Sequence, residues 1–129
     1  MDGADEVPPA GEPAIRVVAM PADTNANGDI FGGWLVSMMD LAAGTVASQR
    51  SKGRAATVAI DGMIFHRPVQ IGDVVSVYAD LMSTGRTSMK IDVTAWRRSR
   101  NGLENQKVTH ATITFVAIDE QGRPRAVDG

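Results

Sequence analysis

Asp40 is the only ionisable side chain between Ile30 and Gln49, a stretch that reads Ile-Phe-Gly-Gly-Trp-Leu-Val-Ser-Met-Met-Asp-Leu-Ala-Ala-Gly-Thr-Val-Ala-Ser-Gln. A carboxylate is among the groups least often buried without a partner. Close packing gives no reason to keep one in the most apolar part of a chain, whereas chemistry does. An aspartate has an ordinary pKa of about 3.9, and apolar surroundings push it upward. A moderate shift improves it as a general base while leaving it ionised at neutral pH. Direct nucleophilic attack by the same carboxylate is the other role its type allows.

Around Asp40 the spacing is informative. Gly33, Ser37, Asp40 and Gly44 follow one another at intervals of 4, 3 and 4 residues, which places them on one stripe of a helix. Such a small and polar seam suits a slender ligand lying alongside, or equally the close approach of a strand or a second subunit. Gly32 and Gly33 open the helix, where unpaired backbone amides and the dipole favour a developing negative charge. Asp29, just upstream, suits either a helix cap or a share in the site, orienting water. Asn25 and Asn27 are of the loop-forming type, and Asn27 is also carried as a substrate contact. Gly85-Arg86-Thr87-Ser88 brings a guanidinium, two hydroxyls and turn amides together, an arrangement able to cradle an anion. Arg97, Arg98 and Arg100 form a weaker cluster of the same kind. His66 and His110 are the only histidines, and nothing in their spacing marks a metal site. Ser37 stands in no nucleophile elbow, and Gly32-Gly33 in no nucleotide-binding loop.

These residues need elements to hold them. An apolar-all-round helix is a buried one, and this one is expected from Gly33 to Ser51, about 28 Å at 1.5 Å per residue. Arg50 and Lys52 sit in its last turn with Gly53 just beyond, as helix ends prefer. Ahead of it, Ile15–Met20 reads as a short strand, followed by an Asn/Asp/Gly-rich loop. Behind it the period changes to two. Strands are expected over 57–65 with an interruption at Gly62, 73–82, 87–97 and 108–118, joined by short turns. Hairpin-length connections make these strands antiparallel. The fold class is therefore α+β, with one long central helix wrapped by a curved antiparallel five-stranded sheet. Gly62 would help the sheet curl. Part of the helix must still find cover outside its own sheet, so an oligomer is expected.

The totals fit one domain. The chain has 129 residues, 43% hydrophobic and 22% charged, with a net charge of −2. The first fourteen residues hold four acids and three of the six prolines, and are expected to form a disordered acidic tail. Residues 15–127 form the single domain. Over 15–129 there are 13 basic and 11 acidic side chains. That permits an anionic ligand and argues against nucleic acid, which would need a basic stripe. The absence of cysteine excludes disulfides, thiolate nucleophiles and Cys-based zinc, and favours a cytoplasmic address. Asp40 and the two glycines argue against a membrane span.

The stretch Met20-Pro-Ala-Asp-Thr-Asn-Ala-Asn-Gly-Asp-Ile-Phe-Gly-Gly-Trp34, followed by Met39-Asp40, resembles the hotdog-fold acyl-CoA thioesterases of the YciA type. So do Val58 to Pro68, Val69-Gln-Ile-Gly-Asp-Val-Val75, Gly85-Arg-Thr-Ser88 and Phe115-Val-Ala-Ile-Asp119, in the right order and spacing from about Ile15 to Val127. The resemblance implies a hotdog fold, with the helix as sausage and the sheet as bun. It implies homodimers that share active sites, commonly assembled as trimers of dimers. It also implies hydrolysis of acyl-CoA, a reaction of fatty acid metabolism, to free acid and CoA. The essential helix carboxylate falls on Asp40. A second functional position, Asn in some relatives, falls on Asp29. Proteins of this type often carry a longer C-terminal tail than this sequence does.

Thioester hydrolysis needs no metal and no cofactor beyond the CoA carried by the substrate, since the carbonyl is already electrophilic and thiolate leaves readily. The expected roles are Asp40 as base or nucleophile, Gly33 N–H as oxyanion donor and Asp29 as a partner from a neighbouring subunit. Gly32, Ser37, Asn27, Arg86, Thr87 and Ser88 are the expected substrate contacts. Gly33 and Asp40 lie seven residues apart, about 10.5 Å along one helix, too far for both to meet one carbonyl unless the substrate bridges the gap; a donor or carboxylate from a second subunit would resolve it, as the shared site implies. Two other readings remain: a hotdog hydratase or dehydratase, whose chemistry usually wants a histidine beside the carboxylate, and a non-catalytic acyl-CoA-binding protein.

Overall fold

The apolar positions of four long strands line up across one sheet face, and the helix lies on that face. The computed structural model describes residues 7–129, in the order β1 (Ile15–Val18), α1 (Gly32–Ser51), β2 (Ala55–Phe65), β3 (Val74–Thr84), β4 (Ser88–Arg98) and β5 (Asn105–Ala117). The sheet order is β1-β3-β4-β5-β2, with every pairing antiparallel. Register places Val77 opposite Ala95, Ile91 opposite Ile113 and Met89 opposite Phe115. These side chains are buried together with Trp34, Leu35, Met39, Ala42, Ala43 and Ala47 of the helix. Full burial of a side chain such as Met39 is worth about 1.5–3 kcal/mol, and Met39 is among the largest that are fully buried.

The expected elements are present, with shifted ends. The helix starts one residue early and β3 runs two residues further, to Thr84. β5 begins at Asn105 rather than Val108, because Gln106 and Asn105 continue the ladder opposite Arg97 and Arg98. The interruption at Gly62 is a genuine irregularity: the register with β5 slips between Asp61 and Ile64, and Gly62 has φ +69°, a left-handed backbone open to glycine at little cost. A second slip, between Thr57 and Ala59, bends β2 again next to the helix.

As expected, the sheet leaves part of the helix uncovered. Gly33, Ser37, Leu41 and Thr45 lie on an exposed face of the protomer, Leu41 at 58% exposure, because a five-stranded sheet covers only one side of a rod. Lys52, expected in the last turn, is instead the C-cap, with a left-handed φ of 58°. Of the expected disordered tail, residues 1–6 lie outside the described residues. Residues 7–14 form neither helix nor strand, and the Ala14 amide donates to the Val77 carbonyl at 2.8 Å.

After β5 the chain turns back over the helix end. Val127 is buried in the core, and its amide donates to the Arg86 carbonyl at 2.8 Å. Arg125 donates to the carbonyls of Ser51, Ile118 and Ala126, satisfying an orphan carbonyl of the last helical turn. Arg50 and Asp128 form an ion pair at 2.7 Å. That neighbour raises the Arg50 pKa and lowers that of Asp128, chiefly through the hydrogen bond and then through charge.

Candidate active site

The middle of α1 meets the start of β2 at Asp40. Thr57 Oγ1 donates to Asp40 Oδ1 at 2.5 Å. Thr57 faces the helix because it pairs with Phe115, whose ring belongs to the core. The carboxylate is half-buried at the rim of an open groove of about 500 Å³, which runs past Leu41, Gly44, Ser48 and Gln49 on the helix and Ala55, Thr57 and Phe115 on the sheet. The protomer alone therefore does not enclose Asp40 in apolar surroundings. It holds one oxygen of the carboxylate in place and leaves the group open to a ligand.

Along the small-residue stripe, Gly44 faces the Phe115 ring, which a Cβ would meet at 3.6 Å, an ordinary contact distance. Ser37, exposed, donates its hydroxyl back to the Gly33 carbonyl at 3.0 Å.

At the helix start the capping residue is Phe31, with no side-chain cap. Asp29 therefore does not cap the helix. It sits two residues upstream, exposed, in a loop closed by Asn25, whose side chain accepts from the amides of Asn27 and Asp29 in an Asx-turn. Asn25 thus shapes the loop, and Asn27 lies exposed within it. The Trp34 amide is taken by the Phe31 carbonyl at 3.1 Å. Ahead of it lie exposed Gly32 and Gly33, first-turn residues whose amides have no intrahelical acceptor. A Cβ at Gly32 would come 3.3 Å from the Phe65 ring, a tight approach that the half-exposed ring would have to yield to by a few tenths of an ångström.

Arg86, Thr87 and Ser88 form the β3–β4 turn. Its backbone is tied by Gly85 N–H to Ser88 O at 2.8 Å and by Ala117 N–H to Thr87 O at 2.9 Å. Ser88 lies opposite Val116, one residue beyond the Met89–Phe115–Thr57 row, so the turn stands at the same end of the sheet as the Asp40 groove. The Arg86 guanidinium is exposed and has no hydrogen-bond or ion-pair partner among the described residues. Arg97, by contrast, is spent on structure, donating to Gln106 and to the Pro68 carbonyl, with Asp73 at 3.8 Å. His110 pairs with Asp92 on the outer sheet face, and His66 lies exposed beyond β2. Among the described residues no group of three or more His, Cys, Asp or Glu is arranged to hold a metal.

The structure thus joins Asp40 to Thr57, a residue the sequence did not single out. No spacing rule links positions 17 apart across a helix–strand turn. The one available hint was a hydroxyl at an inward-facing position of β2. Asp40, Gly33 and Asp29 are not brought together within one protomer.

A family model of the thioesterase superfamily matches residues 27–104. The chain is 57% identical over 123 residues to an uncharacterized acyl-CoA thioester hydrolase of Zymomonas mobilis, covering 95% of this chain and 83% of the relative. It is 46% identical over 122 residues to the acyl-CoA thioester hydrolase YciA of Escherichia coli, covering 92% of each. Among solved structures, a hexameric thioesterase from Yersinia pestis superposes with a TM-score of 0.86 at 47% identity, over 92% of this chain and 96% of that one.

Proposed function

The chain belongs to the thioesterase superfamily, as an acyl-CoA thioester hydrolase of the YciA type with a hotdog fold, and from that premise we propose how its residues cleave acyl-CoA to free acid and CoA. Asp40 acts on the thioester carbonyl as general base. It takes a proton from water as the water oxygen bonds to the carbonyl carbon, the C–S bond then breaks, and the departing thiolate takes up a proton. Direct attack by Asp40 is the variant of this scheme. The amides of Gly33 and Gly32 receive the oxyanion. The observation that carries the reading is the Asp40 carboxylate, fixed through one oxygen by Thr57 at the rim of an open groove.

Seven helix residues, about 10.5 Å, separate Gly33 from Asp40 in one protomer, so the glycines of a second protomer supply the oxyanion donors. Asp29, exposed on its loop, belongs to that second contribution. The free edge of β2 presents Val58 and Ile64, 57% and 62% exposed, and the helix presents Leu41, 58% exposed. Apolar side chains on an unpaired edge favour pairing with another copy. A homodimer with shared sites, assembled as a trimer of dimers, fits these surfaces and the hexameric state of the Yersinia pestis protein. Arg86, Thr87 and Ser88 receive the phosphates of CoA, while Ser37 and Asn27 line the approach.

Residues 15–127 act as one domain, with 1–14 as a tail. The reaction calls for no cofactor beyond the CoA of the substrate. No helix among the described residues is long and apolar enough to cross a membrane, and we place the enzyme in the cytoplasm. The hydratase and non-catalytic readings find no support beside relatives named as thioester hydrolases. The test is thiol release from acyl-CoA by Asp40→Asn. The variant assembles as the parent does and loses at least ~10²-fold in turnover, the scale of a general base. Full activity in that variant would remove Asp40 from the mechanism.

A further inference from the structure

Beside the helix start lies a second groove, of about 420 Å³, between α1 and the connector after β2. That volume is in the range of small-molecule sites, roughly 300–1,000 Å³. Its walls are Ile30, Phe31, Leu35, Phe65, Val69 and Val108, with the Gly32 backbone at its edge. Leu35, Val69 and Val108 are buried core residues, so the floor is rigid. The connector wall is fixed from outside: His66 N–H donates to the Val108 carbonyl at 2.7 Å, Arg67 to the Lys107 carbonyl at 2.7 Å, and Arg97 to the Pro68 carbonyl at 2.6 Å. Phe65 is different. Its ring leans on Gly32 and is 48% exposed, against 41% for Phe31, which makes it the more exposed of the two aromatic walls, with room to move.

We propose that this groove receives the acyl chain of the substrate and that Phe65 sets the chain length it accepts. The inference rests on the assignment of the Gly32–Gly33 amides as oxyanion donors. A carbonyl held there has its sulfur directed to the partner's carboxylate and the solvent. Its alkyl chain needs an apolar receptor within one or two bonds of Gly32, and the Phe65 groove borders that residue. The Asp40 groove mixes Thr45, Ser48, Gln49 and Thr57 with Leu41, Ala55 and Phe115, a lining suited to the pantetheine arm, which carries both amides and a gem-dimethyl group. Burial of each methylene is worth about fourfold in affinity, so a ring that opens or blocks the groove changes selectivity by large factors.

The test compares kcat/KM for acetyl-, hexanoyl- and dodecanoyl-CoA in the wild type, Phe65→Ala and Phe65→Trp. The dodecanoyl-to-acetyl ratio rises about tenfold or more in Phe65→Ala and falls by a similar factor in Phe65→Trp. Ratios that stay within about twofold of wild type in both variants would overturn the assignment. The chain has no cysteine, so Phe65→Cys in the Asp40→Asn background supplies a unique thiol and an independent readout. Dodecanoyl-CoA protects that thiol from maleimide, and desulfo-CoA, which has no thiol of its own to consume the reagent, does not. Equal labelling with both, or a thiol already shielded in the free assembly, refutes the groove as the acyl site. Absence of thiol release from every acyl-CoA by the wild type would instead refute the hydrolase reading, which separates the two failures.

Discussion

Thr57 Oγ1 lies 2.5 Å from Asp40 Oδ1, tying the middle of the helix to the first bend of the neighbouring edge strand. A carboxylate held through one oxygen keeps the other for a water or a substrate. The bend itself comes from the register slip between Thr57 and Ala59, so the strand irregularity and the site are one feature.

Thr57→Val is therefore expected to lower kcat by roughly tenfold to a hundredfold, the scale of a hydrogen bond to a charged group, with a smaller change in KM. Thr57→Ser keeps the donor and restores most of the rate. Steady-state thiol release on the three proteins checks this. A Val variant with unaltered kcat would mean that the contact does not orient Asp40.

Arg86 stands exposed with no partner among the described residues, at the sheet end that carries the Asp40 groove. Arg86→Ala should raise KM for acyl-CoA roughly tenfold, as one lost charge-assisted contact does. The same variant should leave KM unchanged for an acyl-pantetheine thioester, which lacks the nucleotide phosphates. The difference should shrink in high salt, where exposed charges are screened.

Gly62 has φ +69° with open space where a Cβ would go. Gly62→Ala thus meets no clash, only the left-handed backbone penalty of about 1–2 kcal/mol. A lowered melting temperature with normal assembly is the expected result. An unchanged melting temperature would show that β2 can bend without this residue.

Asp128 has its pKa held below the ordinary 3.8 by Arg50. A depressed carboxylate stabilises the fold above its unfolded value, and the contribution is lost as pH falls through the folded one. Asp128 is exposed and Arg50 is only partly covered, so the effect is small. The melting-temperature gap between wild type and Asp128→Asn should be present at pH 7 and close below about pH 4. A gap that persists to pH 2 would assign the effect to something other than the ion pair.

Much of this architecture is legible in local pattern. Period-two alternation located four strands, and the turns between them made the sheet antiparallel. Gly62 announced its bulge, since an isolated glycine in a strand seldom has another reason to be there. The helix was located within one residue at its start, and its need for cover beyond its own sheet was read from its apolar surface, but not which face would stay open. Composition alone cannot say which side of an apolar rod a five-stranded sheet will cover. Asp29 illustrates the same limit at a finer scale. Its type suits a cap, but the backbone enters the helix at Phe31, and the loop geometry set by Asn25 decides where the carboxylate stands.

The sequence by itself determined the kind of element at each position and singled out Asp40, because a charge in an apolar run is conspicuous without any partner in view. Only the tertiary structure decided what Asp40 touches, that Arg86 stands without a partner among the described residues, and where the grooves lie. Those are contacts between residues far apart in the chain, and they depend on register and on the bend of β2, which no local periodicity encodes.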